Sequence, residues 1–159
     1  MKELQGSRRA AGCRFAIVVA RFNDTITEGL LRGAREALAE SAVRDEDVTI
    51  VRVPGAFEIP VAARRVAQAG AVDAVICLGC LIKGDTMHFE YIADSACHAI
   101  AAAASATGVP MALGVLTTLT EEQAMARAVE GAGNKGREAA LAAVEMATLF
   151  RRLQEGINE

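Results

Sequence analysis

The residues best suited to chemistry lie in one short stretch, LGCLIKGDTMHFEY, at positions 78–91. An apolar, strand-like run leads into Gly84, Asp85 and Thr86, and a helix pattern follows with His88 in its first turn. Backbone N–H groups at a helix N-terminus bind anions, and an imidazole takes and gives protons near neutral pH. The spacing therefore predicts an anion cradle beside a proton-transfer group. A purely structural histidine is the alternative for His88, and the residues alone leave both interpretations open.

The composition limits the kind of protein that carries this site. The chain has 159 residues, of which 52% are apolar, and this predicts one globular domain with a real core. The net charge is −3 without a basic block, which disfavours nucleic-acid binding. The alanine-rich run at 96–106 is too short for a membrane span, and the first residues lack the apolar segment of a secretory signal.

Four cysteines stand at positions 13, 77, 80 and 97. Cys77 and Cys80 form a Cys-x-x-Cys pair, but it lies inside a strand-like run and lacks the second pair of a zinc ribbon. Buried free thiols are therefore the favoured interpretation, and they suit a reducing compartment. We expect a cytoplasmic protein without a metal site.

Strand and helix patterns alternate along the chain. Strands are predicted at 14–20, 48–53, 72–78 and 111–116, and helices at 25–40, 57–68, 86–107, 120–129 and 134–153. Thr25 with Glu28, and Thr120 with Gln123, have the spacing of capping boxes. The alternation predicts a single α/β domain at 14–159 with a parallel sheet, preceded by a polar N-terminal arm at 1–13.

Ligands of such sheets bind beyond the carboxyl ends of the strands. Phe22 follows the first strand and serves either as a staple on the next helix or as a flat platform for a ring. The turn at 54–58 is either a simple connection or a row of backbone N–H groups for the hydroxyls of a polyol. The predicted last helix is apolar on two faces, which favours an oligomer.

A glycine motif, Gly131-x-Gly133-x-x-Gly136, matches the letters of the dinucleotide-binding fingerprint. The fingerprint requires a preceding strand, whereas a helix is predicted here, so we reject a Rossmann site. The glycines are instead predicted to end one helix and to begin the next. Arg127, Lys135 and Glu138 flank this turn, and solvated surface charges are their simplest interpretation.

Six segments, in this order and spacing, resemble the 6,7-dimethyl-8-ribityllumazine synthase family. They are ARFN (20–23), VPGAFEIP (53–60), IKGDTMHFEYIA (82–93), GVLTT (114–118), EQAMARA (122–128) and GNKGREAAL (133–141). The resemblance implies a three-layer, flavodoxin-like sandwich with a four-stranded parallel sheet. It also implies the penultimate step of riboflavin biosynthesis, in which 5-amino-6-(D-ribitylamino)uracil condenses with 3,4-dihydroxy-2-butanone 4-phosphate. Phosphate and water leave, and neither a cofactor nor a metal is required.

The resemblance implies a role for each candidate site residue. Phe22 stacks on the pyrimidine ring, and Leu113 stands where many family members carry a second aromatic residue. Residues around the ribityl chain and the uracil edge are Ala56, Phe57, Glu58, Cys80, Leu81 and Ile82. Residues around the phosphate and the far end of the ribityl chain are Asp85, Thr86, Arg127, Lys135 and Glu138. His88 moves protons during Schiff-base formation and phosphate loss.

The family also implies partners. Its members form homopentamers with active sites between neighbouring subunits, and some build icosahedral shells of roughly 60 subunits. Arg127, Lys135 and Glu138 are then expected from one subunit, and Phe22, Ala56 and His88 from the next. The arm at 1–13 is expected to pair with a neighbouring subunit, and riboflavin synthase is a further partner in this expectation.

Two other functions stay open at this point. A non-catalytic shell or flavin-binding protein on the same fold is expected to have lost His88 or Arg127, and both are present. A phosphate-ester enzyme or nucleotide-binding domain needs a glycine-rich loop directly after the first strand, where this chain has ARFN.

Overall fold

The computed structural model describes residues 1–157. Four parallel strands form one sheet in the order β2-β1-β3-β4, with β1 at Phe15–Ala20, β2 at Val48–Val53, β3 at Ala74–Ile82 and β4 at Met111–Thr118. The helices are α1 Asp24–Glu40, α2 Ile59–Gln68, α3 His88–Thr107, α4 Glu121–Ala126 and α5 Lys135–Ile157, and short 3-10 turns lie at Asp45–Asp47 and Ala56–Glu58. The predicted three-layer α/β sandwich is confirmed, and its strand order is the flavodoxin-like one.

The central strands of the sheet, β1 and β3, are buried on both faces because helices cover them from two sides. In the central strand β3, Ile76 and Leu78 face a core shared with α1 and α5, whereas Val75 and Cys77 face a second core shared with α2 and α3. A strand covered on both faces must be apolar at every position, which explains the continuous apolar run of β3. The two cores fix the carboxyl ends of the strands relative to the helices that follow them.

All four cysteines are free thiols, as predicted, and only Cys97 is partly exposed. Burial raises the pKa of Cys77 to about 12 and that of Cys80 to about 11. A thiol must ionise before it acts as a nucleophile or binds a metal. At neutral pH these two cysteines are therefore inert packing groups of β3.

The predicted capping boxes have different outcomes. The box at 120–123 is confirmed, because Oγ1 of Thr120 accepts a hydrogen bond from the Gln123 N–H at 3.2 Å. The box at 25–28 is wrong: α1 begins at Asp24, and its N-cap is Asn23. The Glu28 side chain instead forms an ion pair with Arg52 of β2.

Several predicted boundaries also shift. β3 runs to Ile82 rather than to residue 78, and β4 runs to Thr118, because the two strands stay paired up to these residues. α3 begins at His88 itself, two residues later than predicted. α4 ends at Ala126, and the last helix runs to residue 157.

The N-terminal arm lies along α5 of its own subunit. The Ser7 N–H donates to Oγ1 of Thr148 at 2.7 Å, and Arg152 donates to the Gln5 carbonyl at 2.7 Å. The described residues of the arm include no strand. Across residues 1–157, none of the helices combines the length and the apolar character needed to cross a bilayer.

Candidate active site

A cavity of about 760 Å³ opens beyond the carboxyl ends of β1, β2 and β3, at the start of α3. Eight of the predicted site residues line it: Phe22, Ala56, Phe57, Glu58, Leu81, Ile82, Thr86 and His88. The wall formed by the first two turns of α3 adds four residues without a predicted role: Phe89, Tyr91, Ile92 and Ser95. The cavity is therefore rich in aromatic faces and contains one imidazole and one carboxylate.

Hydrogen bonds from Phe22 and from the next residue, Asn23, hold the Phe22 segment at the cavity. The Phe22 N–H donates to the Pro54 carbonyl at 3.1 Å, which ties it to the segment after β2. The next residue, Asn23, has a left-handed backbone with φ 59° and donates from Nδ2 to the Cys80 carbonyl at 2.9 Å. Asparagine adopts this conformation more readily than most residues. The Phe22 ring is 68% exposed, so its face is available to a ligand.

The turn after β2 places three predicted residues along the cavity. Residues Ala56–Glu58 form a 3-10 turn, which continues into α2 and is anchored by the fully buried Ile59. Gly79 of β3 leaves room for this close approach, because a Cβ there would lie 3.1 Å from Cδ1 of Ile59. Ala56 is buried whereas Phe57 is exposed, so the turn presents backbone groups and one aromatic ring to the cavity.

His88 is the first residue of α3, and it is exposed at the cavity wall. The N-cap residue, Met87, makes no side-chain hydrogen bond to the helix, and Oγ1 of Thr86 lies 3.5 Å from the His88 nitrogen. The main-chain N–H of His88 donates to that hydroxyl, and the N–H groups of Phe89 and Glu90, which follow in the first turn, have no preceding helical carbonyl to bond. Asp85 is exposed in the preceding loop and lines neither this cavity nor the one described next.

Cys80 does not reach the cavity. Its side chain is buried in the core shared with α1 and α5, and its carbonyl is bonded to the amide of Asn23. Leu81 and Ile82, which follow it in β3, do line the cavity. The structure therefore brings together two of the three main-chain positions that were predicted to recognise the uracil edge.

A second cavity, of about 330 Å³, lies between β4, the end of α4 and the start of α5. It contains the four remaining predicted residues: Leu113, Arg127, Lys135 and Glu138. Nη1 of Arg127 donates to the Gln123 carbonyl at 2.9 Å, and Lys135 pairs with Glu138 at 2.7 Å. The two cavities share no lining residue.

Both cavities are bordered by exposed apolar side chains. Phe57 and Tyr91 lie at the first cavity, and Leu113, 52% exposed on the edge strand β4, lies at the second. Large apolar side chains exposed at a concave surface indicate a binding or interaction site. No group of three or more His, Cys, Asp or Glu within residues 1–157 is arranged to hold a metal ion.

The sequence did not reveal the structural role of one residue beside the second cavity. Asn134 was predicted only to begin the last helix, but its side chain also reaches the Gly29 carbonyl of α1 at 3.1 Å. A residue 105 positions away gives no local signal in the sequence, so this contact was not predictable from spacing.

The fold is a doubly wound α/β sandwich, and its first cavity lies beyond the carboxyl ends of the strands, where the ligands of such sheets bind. A comparison with protein-family models matches residues 12–151 to 6,7-dimethyl-8-ribityllumazine synthase. Because the match covers most of the chain, the protein belongs to this family. It is a transferase of riboflavin biosynthesis that forms 6,7-dimethyl-8-ribityllumazine from two small-molecule substrates.

Proposed function

We propose that the two cavities are the two halves of one active site, which is complete only where neighbouring subunits of a homopentamer meet. The observation that carries this proposal is the division of chemistry between them. The described lining of the first cavity contains aromatic rings and His88 but neither Lys nor Arg. The described lining of the second contains Arg127 and Lys135 but no aromatic ring. A reaction between a pyrimidine and a phosphate ester requires both sets.

The first cavity binds the ribitylaminouracil. Phe22 stacks on the pyrimidine, while Ala56, Phe57 and Glu58 hold the ribityl hydroxyls. The open edge of β3 supports recognition of the uracil by Ile82. The pairing of β3 with β1 ends at Leu78, four residues before β3 itself ends. Main-chain N–H and C=O groups beyond that point lack a neighbouring strand on the β1 side.

Alternate residues of a strand direct their main-chain groups to opposite edges. The Lys83 N–H bonds β4, whereas the Cys80 carbonyl bonds Asn23 on the opposite side. Ile82 therefore directs its N–H and C=O to the cavity side, while Leu81 contributes mainly its side chain and its link to β4. For Cys80, only the main-chain N–H is left to contact the substrate.

The phosphate ester lies between the start of α3 and the second cavity. The backbone N–H groups of Asp85, Thr86 and the first turn of α3 bind its phosphate together with Arg127. Lys135 and Glu138 complete the far end of the ribityl site, and Leu113 packs on the ring without the stacking that an aromatic residue adds. Holding both reactants in register supplies most of the rate enhancement.

His88 moves protons in this reaction. The 5-amino group adds to the ketone carbonyl, and loss of water gives a Schiff base. Elimination of inorganic phosphate then leaves an enol, which tautomerises to a second carbonyl. The ribityl-substituted nitrogen adds to this carbonyl, and loss of a second water closes the second ring. Each addition and elimination relocates a proton, and an imidazole accepts and donates protons at neutral pH.

Replacing His88 by alanine tests this role. We expect the His88→Ala enzyme to lose about tenfold in kcat, because the reactants are still held in place and water substitutes partly for the imidazole. The rate is followed by lumazine fluorescence against a protein-free control, since the substrates also react without enzyme. His98→Ala, on the same helix but outside both cavities, is the matched control. An unchanged rate for His88→Ala would exclude proton transfer by this residue.

Mixing two impaired variants, assayed at a low concentration of the butanone phosphate, tests the shared site. Subunits with His88→Ala are dissociated, mixed in equal amounts with Arg127→Ala subunits, and reassembled. If each site takes one half from each neighbour, about one interface in four carries both intact halves, and activity recovers to about a quarter of the wild-type value. A mixture no more active than the mean of its parents would place both halves in one subunit.

The assembly follows from the same surfaces. The exposed edge strands β2 and β4 are available for a neighbour, and we propose that the arm at 1–13 pairs with a neighbouring sheet in the assembled state. The turn at 127–135 has no insertion that separates pentamers, which supports a shell of roughly 60 subunits. Such a shell is suited to associate with riboflavin synthase. The free thiols support a cytoplasmic location.

A further inference from the structure

We propose that Asn134 is a positioning residue for phosphate binding, an inference that rests on the proposed function of Arg127. Asn134 lies immediately before α5 and is only 1% exposed. It does not line the second cavity itself. It acts on the connection between α4 and α5, which carries Arg127 at one end and Lys135 at the other.

The side chain of Asn134 uses all of its hydrogen-bonding groups within the protein. Nδ2 lies within hydrogen-bond distance of three carbonyls, those of Gly29, Ala128 and Val129, at 3.1, 3.0 and 3.1 Å, so one of its two hydrogens is shared between two acceptors. Oδ1 accepts from the Arg137 N–H at 3.0 Å and thereby caps α5. One amide therefore joins three parts of the chain: the middle of α1, the connection after Arg127 and the first turn of α5.

The surface of α1 is shaped to receive this amide. A Cβ at Gly33 would overlap the Asn134 side chain, and a Cβ at Gly29 would lie 2.5 Å from the Ala128 carbonyl oxygen. The adjacent face of α1 is fixed in the core by Leu30 and Ala34, both fully buried. The amide is therefore attached to a rigid helix and has room for one position only.

The connection that it holds is otherwise exposed. Residues 129–133 are solvent-accessible, and Gly131 has a φ of 118°, a conformation that other residues rarely adopt. The Asn134 amide bonds the two carbonyls that directly follow Arg127. Without these bonds two buried or partly buried carbonyls lose their donor, and the connection is free to move toward water. Arg127 begins this connection, and its carbonyl accepts a hydrogen bond from the Lys135 N–H at 2.9 Å, so a shift at either end of the connection is passed to Arg127.

Asn134→Ser separates the two functions of the side chain. Serine keeps an oxygen that caps α5, but it has no amide to reach Gly29. We expect KM for the butanone phosphate, and the inhibition constant of inorganic phosphate, to rise about tenfold because Arg127 is displaced. KM for the ribitylaminouracil and kcat should stay within about twofold, since the first cavity is untouched and the serine cap keeps Lys135 and Glu138 of α5 in place.

Ser41→Ala is the control, because it also removes a buried hydrogen bond from α1, to the Ala37 carbonyl at 2.8 Å, without contacting the connection. It should lower the melting temperature and leave both KM values unchanged. A wild-type KM for the butanone phosphate in Asn134→Ser, or an equal rise in the KM values of both substrates, would overturn the inference. If Asn134→Ser does not fold, Gly33→Ala displaces the same amide and must raise the same KM. A wild-type protein without turnover would overturn the proposed function, and this inference with it.

Discussion

Arg127→Ala is expected to raise the apparent KM for 3,4-dihydroxy-2-butanone 4-phosphate about 100-fold, which corresponds to about 3 kcal/mol for a lost charge-assisted hydrogen bond. Arg127 is exposed in the second cavity and donates to a main-chain carbonyl, that of Gln123. The other cation of this cavity, Lys135, is already paired with Glu138. Within residues 1–157 Arg127 forms no ion pair, so its charge is available to the phosphate.

The measurement is the steady-state rate with each substrate varied in turn. KM for the ribitylaminouracil should change by less than about threefold, because a phosphate-specific contact does not act on the pyrimidine. The KM of Arg127→Lys for the butanone phosphate should lie between the wild-type value and that of Arg127→Ala, since lysine keeps the charge but loses the planar donor geometry. Arg64→Ala, an exposed arginine of α2 outside both cavities, controls for the change in net charge. Equal effects on both substrates would contradict this role of Arg127.

The layered fold was predictable because its signals are local. A strand covered on both faces must be apolar throughout, and the run at 74–78 has no other simple interpretation. The end of this strand was not predictable in the same way. β3 continues to Ile82 because β4 stays beside it, up to the pair formed with Thr118. The partner strand decides this boundary, and no pattern near residue 80 reports where the partner ends.

The two capping boxes illustrate the same limit. The side chains of Thr120 and Gln123 bond main-chain groups of their own turn, so the local pattern was sufficient. Thr25 and Glu28 have the same spacing, but Arg52 on β2 attracts the glutamate away from the helix terminus. Asn23 is the N-cap and has a left-handed conformation, so the helix begins at Asp24, one residue before Thr25. A local pattern is reliable only where no distant charge competes for its side chains.

The candidate site was predictable in its residue types and less so in its arrangement. The parallel sheet places the residues of the first cavity at one rim, as the general rule for such sheets predicts. Spacing alone provided no reason to separate Arg127, Lys135 and Glu138 from that rim. Their separation follows from the position of β4 at the edge of the sheet, with α5 packed beside it. An edge strand leaves one row of its main-chain groups unpaired and available to a neighbour.

The glycine motif at 131–136 gives the second large effect, on stability. Gly136 lies in the first turn of α5, and a Cβ there would overlap the backbone carbonyl of Leu30 in α1. The Leu30 carbonyl is part of the α1 backbone, and the added Cβ is bonded to the α5 backbone. The overlap is therefore relieved only if α1 and α5 move apart. We expect Gly136→Ala to cost about 3 kcal/mol through overpacking, offset by about 1 kcal/mol of better helix propensity. The free energy of unfolding should fall by about 2 kcal/mol, and the melting temperature by about 5 °C.

Gly133→Ala is the matched control within the same motif. No atom lies within 4 Å of a Cβ at Gly133, and its φ is outside the left-handed region. Its stability should stay within about 0.5 kcal/mol of the wild-type value. Chemical denaturation of both variants with the wild-type protein measures the difference. Equal stability of the two variants would mean that α5 is free to shift along α1. In that case the contact at Gly136 would not set the position of Lys135, the residue next to it in the second cavity.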